Sequence, residues 1–279
     1  NTWVERSADH RLVWQKACEL ADQFTRVPTD VAKPVLHREQ RLSRRGMLKS
    51  VMGAGVVLPL GWLVVSQVPA WSADFRTATG ERRRVTLADG SELMLNTQTA
   101  VDVVITDQQR RMHVHQGEIF IRTAPEPRHA LSVVTAQGHV DALGTAFAVR
   151  CLDDATLVSV ESGAVVVTPA VGQVERRIAQ EEQCRFSQEQ IQAVGPVPPD
   201  ALSWRRGALI AENWRLADFC EELSRYRLGI LRCASDVADL KISGVFQVDN
   251  TNQALEVLAQ VFHLKIHRMT DYWVSITAA

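Results

Sequence analysis

At 279 residues, with 46% apolar and 23% charged side chains and a formal net charge of -1, the chain has room for two or three modest domains and lacks the global basicity of a nucleic-acid binder. Five cysteines are too few for a disulfide scaffold. The charge is unevenly spread: residues 1–49 carry ten Lys/Arg against six Asp/Glu, whereas residues 74–279 carry twenty-one against twenty-six.

The front reads "SADHRLVWQKACELADQF", with Ser7 in a capping position and Leu12, Ala17 or Cys18, Leu20, Ala21 and Phe24 near helical spacing. This predicts an amphipathic helix, after which Pro28 and Pro34 break the chain. About forty-five residues with one clear helix bury little core. The chain begins at Asn1 without a methionine, so further helix is expected upstream. His10 beside Trp3 and Trp14 reads as packing before it reads as catalysis.

No charged side chain occurs between Lys49 and Asp74, and the apolar run Val51 to Val68 is long enough for a helix to cross a bilayer core of about 30 Å. Arg38, Arg41, Arg44, Arg45 and Lys49 precede the run, which places residues 1–49 in the cytoplasm by the positive-inside rule. Gly53, Gly55, Pro59, Gly61 and Gln67 make the span weakly hydrophobic, and Arg44 and Arg45 in "SRRGMLK" fit a twin-arginine export signal. They fit simple cytosolic anchor charges equally well. "VPAW" offers a small-residue cleavage site after Ala70, but the long leading segment argues for a retained anchor.

Beyond the span the periodicity changes to alternation. "RRRVTLADGSELMLNTQTAVDVVI" reads as strand, Asp89-Gly90 turn, strand, turn and strand. "RMHVHQGEIFIRTA", "ALSVVTAQGHVDALGTAFAVRCL", "ATLVSVESGAVVVTPA" and "RRIAQEEQCRF" continue the same texture, so residues 71–200 are expected to form an all-β sandwich or solenoid-like stack. His113 and His115 share one strand face, with His129 and His139 as further ligand candidates, but no zinc spacing connects them, and no metal or cofactor is expected. Nothing resembles a nucleophile elbow.

The tail, residues 201–279, alternates strand and helix. "GALIAEN" reads as a strand, "WRLADFCEELSRYR" as a helix with Leu216, Phe219, Cys220 and Leu223 on one side, and "GILRCASDVADLKISGVFQV" as two strands. "TNQALEVLAQVFHL" gives a second helix capped by Thr251, and "KIHRMTDYWVSI" a last pair of strands. Two β-α-β units make a small open α/β sandwich whose strand edges suit protein contact. Cys220 and Cys233 fall on the first helix and next strand, so a bridge between them is conceivable, and free thiols equally so.

"TGERRRVTLADGSELMLNTQTAVDV", "GEIFIRTA", "DALGTAFAVR" and "VSVESGAVVV", in that order over about ninety residues, closely resemble the FecR family of periplasmic sensor domains. Ala146 departs from the arginine-like residue usual between Gly-Thr and Phe147. "WVERSADHRLVWQKACEL" resembles the latter half of that family's anti-sigma segment, Trp3, His10 and Trp14 matching its recurring Trp, His and Trp. The tail resembles the short N-terminal domain of secretins and TonB-dependent receptors.

The resemblance implies a single-pass inner-membrane protein with four parts. Residues 1–43 would be a cytoplasmic helical anti-sigma segment, 44–70 a twin-arginine-like signal and transmembrane helix, 71–200 the periplasmic all-β domain, and 201–279 the periplasmic α/β domain. It further implies an extracytoplasmic-function sigma factor as cytosolic partner and the signalling domain of an outer-membrane TonB-dependent siderophore transducer as periplasmic partner. Signalling would proceed through periplasmic and site-2 proteases, with no direct contact to nucleic acid. Some members of the family split themselves at a Gly-Thr bond by an N-to-O acyl shift, which falls here on Gly144-Thr145, with Asp141 or His139 as base candidates. Otherwise no enzyme is expected, and Gly144-Thr145 read as a tight turn is the plainer alternative. A different function class, an envelope or secretin-binding adaptor with a membrane anchor, would need no Trp-containing helices in the cytosol.

Overall fold

Why alternating sequence becomes a closed two-sheet core is visible in the strands themselves. The structure, a computed structural model, describes residues 72–124, 129–142, 144–172, 174–270 and 272–279. In chain order the first fourteen strands are β1 (Phe75–Arg76), β2 (Arg83–Thr86), β3 (Glu92–Leu95), β4 (Ala100–Ile105), β5 (Arg110–Gln116), β6 (Glu118–Arg122) and β7 (Leu131–Thr135). They continue with β8 (Gly138–Ala142), β9 (Ala146–Cys151), β10 (Thr156–Ser162), β11 (Ala164–Pro169), β12 (Arg176–Ala179), β13 (Glu182–Phe186) and β14 (Gly195–Pro196).

One seven-stranded sheet runs β1-β4-β5-β7-β8-β11-β12, and the other runs β14-β13-β10-β9-β6-β3-β2. Sequence order therefore rises steadily across each sheet while the chain passes back and forth between them, a solenoid-like winding that builds a sandwich. Pairing is antiparallel except for β5 with β7, which is parallel from Arg110↔Leu131 to His113↔Val134. In β5 the side chains of Met112 and Val114 turn inward and Arg111 and His113 outward; in β7, Leu131 and Val133 turn inward. These meet Leu93, Ile119, Ile121, Phe147, Val149, Val158, Val160, Val165 and Phe186 in a single core between the sheets.

The Asp89-Gly90-Ser91 turn joins β2 to β3 as the sequence predicts. Gly90 takes a positive φ of 82°, and its N–H donates to the Leu87 carbonyl at 3.0 Å. The Asp89 carboxylate accepts from the Ser91 N–H at 3.0 Å, the Ser91 hydroxyl at 2.9 Å and Arg110 Nε at 2.8 Å. Burial alone would raise the Asp89 carboxyl, but these donors outweigh it and hold the group below its usual range.

After a 3-10 turn at Ser203–Arg206 come β15 (Ala208–Arg215), α1 (Leu216–Ser224), β16 (Ile230–Cys233), β17 (Lys241–Gln247), α2 (Thr251–Phe262), β18 (Leu264–Thr270) and β19 (Trp273–Ala278). Leu216, Phe219, Cys220 and Leu223 form the buried face of α1 as their spacing predicts. Two expectations need correction. Asn250, not Thr251, caps α2: its side chain accepts from the Gln253 N–H at 3.0 Å, while Thr251 is already the first helical residue. Neither β-α-β run stays within one sheet. β15 pairs antiparallel with β17, and β16 lies parallel to β19, which pairs with β18. Strand partners are chosen by nonlocal packing, which chain order alone does not encode.

β6 and β9 are buried on both faces. Ile119, Ile121, Phe147 and Val149 enter the sandwich core, while Phe120, Ala146 and Ala148 enter a second core shared with Leu209, Leu216, Phe219, Leu223, Phe246, Leu255 and Ile276 of the tail. The near-continuous apolar texture of "EIFI" and "AFAV" follows from that double burial. Among the described residues no helix is long and apolar enough to cross a membrane; the predicted span at 44–70 lies outside them.

Gly117, between β5 and β6, has φ of 86°, and a Cβ there would sit 2.4 Å from Thr99 Oγ1 and 2.5 Å from Thr99 Cα. Gly117→Ala is expected to cost about 3 kcal/mol of stability through strain and backbone displacement, read as a lower urea midpoint by circular dichroism.

Candidate functional site

Among the places where the described residues hold polar groups out of water, two bear on function: the Gly144-Thr145 peptide and the seam between the sandwich and the tail. Gly144 and Thr145 lie between β8 and β9, where the chain changes sheet. Gly144 is exposed with φ of 65°, and Thr145 is only 3% exposed. The Thr145 N–H donates to Thr123 Oγ1 at 2.8 Å, and the Thr145 carbonyl accepts from the Thr123 N–H at 2.9 Å. Thr145 Oγ1 is buried and has no hydrogen-bond partner, an arrangement that costs roughly 1–3 kcal/mol. Gly163 makes room beneath: a Cβ there would come within 2.7 Å of Thr145 Cγ2. His139 and Asp141 pair loosely with each other at 3.6 Å on β8, and neither hydrogen-bonds the Thr145 hydroxyl.

At the seam, residues of the sequence motifs "LN" and "GE" meet the end of α1. Asn96 is fully buried; its Nδ2 donates to Glu118 Oε2 at 2.8 Å and to the Tyr226 hydroxyl at 2.9 Å. Glu118, 5% exposed, also accepts from Arg225 Nη2 at 2.9 Å. Arg225 Nη1 reaches Glu222, whose other oxygen accepts from Arg150 Nη2 at 2.8 Å. The Arg225 carbonyl in turn accepts from Thr97 Oγ1 at 2.9 Å. Thus Arg150, Glu222, Arg225 and Glu118 alternate in sign along one chain of contacts, each charge facing its opposite.

The electrostatic consequences follow from burial with pairing. Burial would push the Glu222 carboxyl up, but Arg225 and Arg150 outweigh it and hold it below its usual range. Burial works against the Arg225 cation, yet Glu118 and Glu222 raise its proton affinity overall. The Tyr226 hydroxyl is raised by burial and by Glu118, so it stays protonated. Two outer ties flank this network. Arg82 binds Asp249 at 2.7 Å and the Trp204 carbonyl at 3.0 Å, and Arg205 binds Glu161 while its guanidinium lies 3.9 Å over the Phe120 ring. Beside the network a polar cleft of about 950 Å³ opens, lined by Arg150, Asp154, Arg185, Arg215, Asp218 and Glu222 among others.

Trp3, His10, Trp14, Arg44 and Arg45 lie outside the described residues. His113 and His115 do share a face, their ring centroids 4.3 Å apart, and His115 Nε2 meets Asp102 at 2.7 Å. His139 pairs with Asp141 instead, and among the described residues no group of three or more His, Cys, Asp or Glu side chains is placed to hold a metal. Sequence reasoning missed Asn96, Glu118, Arg150, Glu222 and Arg225. The available hint was an asparagine and a glutamate within strand texture that is otherwise apolar on its buried side.

Residues 73–166 match the family model described as FecR protein. Two crystal structures share this fold, at 1.65 and 2.50 Å resolution, both of a provisionally assigned anti-sigma factor from Parabacteroides distasonis ATCC 8503. Their TM-scores are 0.60 and 0.59 at 21% and 20% identity, over 74% of this chain and 98% of each of theirs. No curated protein matches the chain.

Glu222 makes the seam acid-sensitive with a definite sign. Its folded proton affinity lies below that of an unfolded glutamate, about 4.3, so its contribution is complete above that pH and is lost as pH falls through the lower, folded value. Thermal melting from pH 7 to pH 3 should therefore fall less steeply in Glu222→Gln than in the wild type. Glu118→Ala, which leaves Arg225 facing an emptied site, is expected to cost about 3 kcal/mol in urea titration.

Proposed function

We propose, from the match of residues 73–166 to the FecR protein family model, that this protein is an anti-sigma regulator that relays an extracytoplasmic event to a sigma factor. The FecR match is the observation that carries the reading, and the shared fold with the Parabacteroides protein supports it. In this reading residues 1–43 hold an extracytoplasmic-function sigma factor, with Trp3, His10 and Trp14 in the holding helices. Residues 44–70, with Arg44 and Arg45, export and anchor the chain in the inner membrane. The described residues then lie in the periplasm and engage the signalling domain of a TonB-dependent siderophore transducer.

The mechanism proposed from the seam is mechanical. A partner strand added to an open edge of β17 or β16 would load the tail module, and the partly buried Glu118–Arg225–Glu222–Arg150 contacts would transmit that load to β6 and β9 of the sandwich. Periplasmic and site-2 proteases would then release the cytosolic segment.

The Gly144-Thr145 bond is the proposed site of self-cleavage. Thr145 Oγ attacks the Gly144 carbonyl carbon, the C–N bond breaks, and the hydroxyl proton ends on the Thr145 nitrogen; water then hydrolyses the resulting ester. An unpartnered hydroxyl on the residue following a left-handed glycine supports this reading. The topology adds a consequence. β9 is paired with β6, and β8 with β11, so each piece contributes strands to both sheets across the cut. The pieces are expected to stay together in native buffer and to separate only in denaturant.

Thr145→Ala should abolish the paired fragments in denaturing gels while leaving the circular-dichroism spectrum intact; an unchanged fragment pattern would sink the self-cleavage reading. For the regulatory function, cross-linked pull-down of the membrane-inserted protein followed by mass spectrometry should recover a sigma factor. Recovery of envelope components alone would overturn it.

A further inference from the structure

We propose that Cys220 and Cys233 are a disulfide-forming pair, a modification site that fastens α1 to β16 when the described part of the chain meets an oxidising thiol–disulfide couple. Cys220 lies on the buried face of α1 beside Phe219 and Leu223. Cys233 closes β16, where Leu231 and Cys233 alternate inward with the exposed Ile230 and Arg232, and it packs half-buried against the same core. α1 and β16 pack against each other, and each thiol is near enough to perturb the proton affinity of the other.

The other described cysteines do not compete. Cys151 and Cys184 lie on β9 and β13, which flank β10 on opposite sides through Thr156↔Cys151 and Val158↔Cys184. Two strand spacings separate them by roughly 9–10 Å, beyond the ~7 Å that a disulfide spans between Cα atoms. The Cys151 thiol faces the Val114 carbonyl at 3.7 Å, and Cys184 is 1% exposed in the sandwich core. Burial pushes these two thiols up to about 12 and about 11, as it also raises Cys220, so it is their separation and not their acidity that sets them apart.

The order of reaction follows from access and charge. Burial raises both thiols; Cys233 is the less buried of the pair, and the Cys220 thiol and the Arg215 guanidinium partly offset the rise there, whereas at Cys220 the Cys233 thiol adds to it. Cys233 thiolate therefore attacks one sulfur of an external disulfide, such as oxidised glutathione, and expels one glutathione thiolate. Cys220 then gives up its proton, attacks the Cys233 sulfur and expels the second glutathione. Two thiols become one disulfide and the external disulfide becomes two thiols. The closed loop contains Glu222, Arg225 and Tyr226, so the bridge restrains in the unfolded chain the segment that supplies the tail's half of the seam network.

The test uses the reduced full chain incubated with oxidised glutathione, alkylated in denaturant and digested without reductant. A peptide linking Cys220 to Cys233, with Cys151 and Cys184 alkylated, is the expected result. Cys233→Ser, at the half-buried position, should leave Cys220 unmodified, while Cys220→Ser should stop at a glutathione adduct on Cys233. Both thiols recovered free in the wild type, or either linked to another cysteine, would overturn the proposal. The readout is sulfur chemistry alone, so loss of the sigma-factor reading would leave it standing.

Discussion

The described structure depends on one partly buried arrangement of charge, the row Glu118, Arg225, Glu222 and Arg150, with Asn96 and Tyr226 closing its buried end. Ions taken out of water are tolerated only when paired and hydrogen-bonded, because the desolvation cost of each is several kcal/mol. Here every member has its opposite within hydrogen-bonding distance, and the two ends belong to different parts of the chain. Glu118 and Arg150 come from β6 and β9 of the sandwich, Glu222 and Arg225 from the end of α1. Paired charges at such a seam favour the register in which each meets its opposite.

That constraint explains features that would otherwise be separate. β6 carries apolar residues on both faces because it walls two cores at once, and its leading residue is a buried glutamate because the seam begins there. Gly117 precedes it in a left-handed conformation with Thr99 pressed against it, so the turn that delivers Glu118 has no room for a side chain. Asp89 and Arg110 repeat the same logic on a smaller scale at the β2–β3 turn, where a half-exposed hairpin is tied to β5.

The fold was largely legible in the residues. Alternation at Met112 and Val114, at Leu131 and Val133, and at Val165 and Val167 gave the strands, and the Asp89-Gly90-Ser91 turn gave the first hairpin, because these are local consequences of side-chain period and glycine conformation. The buried face of α1 was legible for the same reason. The site was hardly legible. Arg225 and Glu118 are 107 positions apart, and nothing in the neighbourhood of either marks it as paired. The α2 cap was misplaced by one residue because Asn250 and Thr251 both have capping side chains, and the backbone at Asn250 decides which one caps.

By itself the sequence determined element type: a β-rich stretch beyond residue 72 and an α/β tail, set by hydrophobic period and turn chemistry acting over a few residues. It also carried the FecR pattern within residues 73–166. Only the tertiary structure decided which strands are neighbours, that β15 and β16 part into different sheets, that the tail covers the outer face of β6 and β9, and that Thr145 buries a hydroxyl without a partner. The division has a physical cause. Local propensities depend on near neighbours in the chain, whereas strand partners and buried ion pairs are settled by packing and desolvation between residues that only folding brings together.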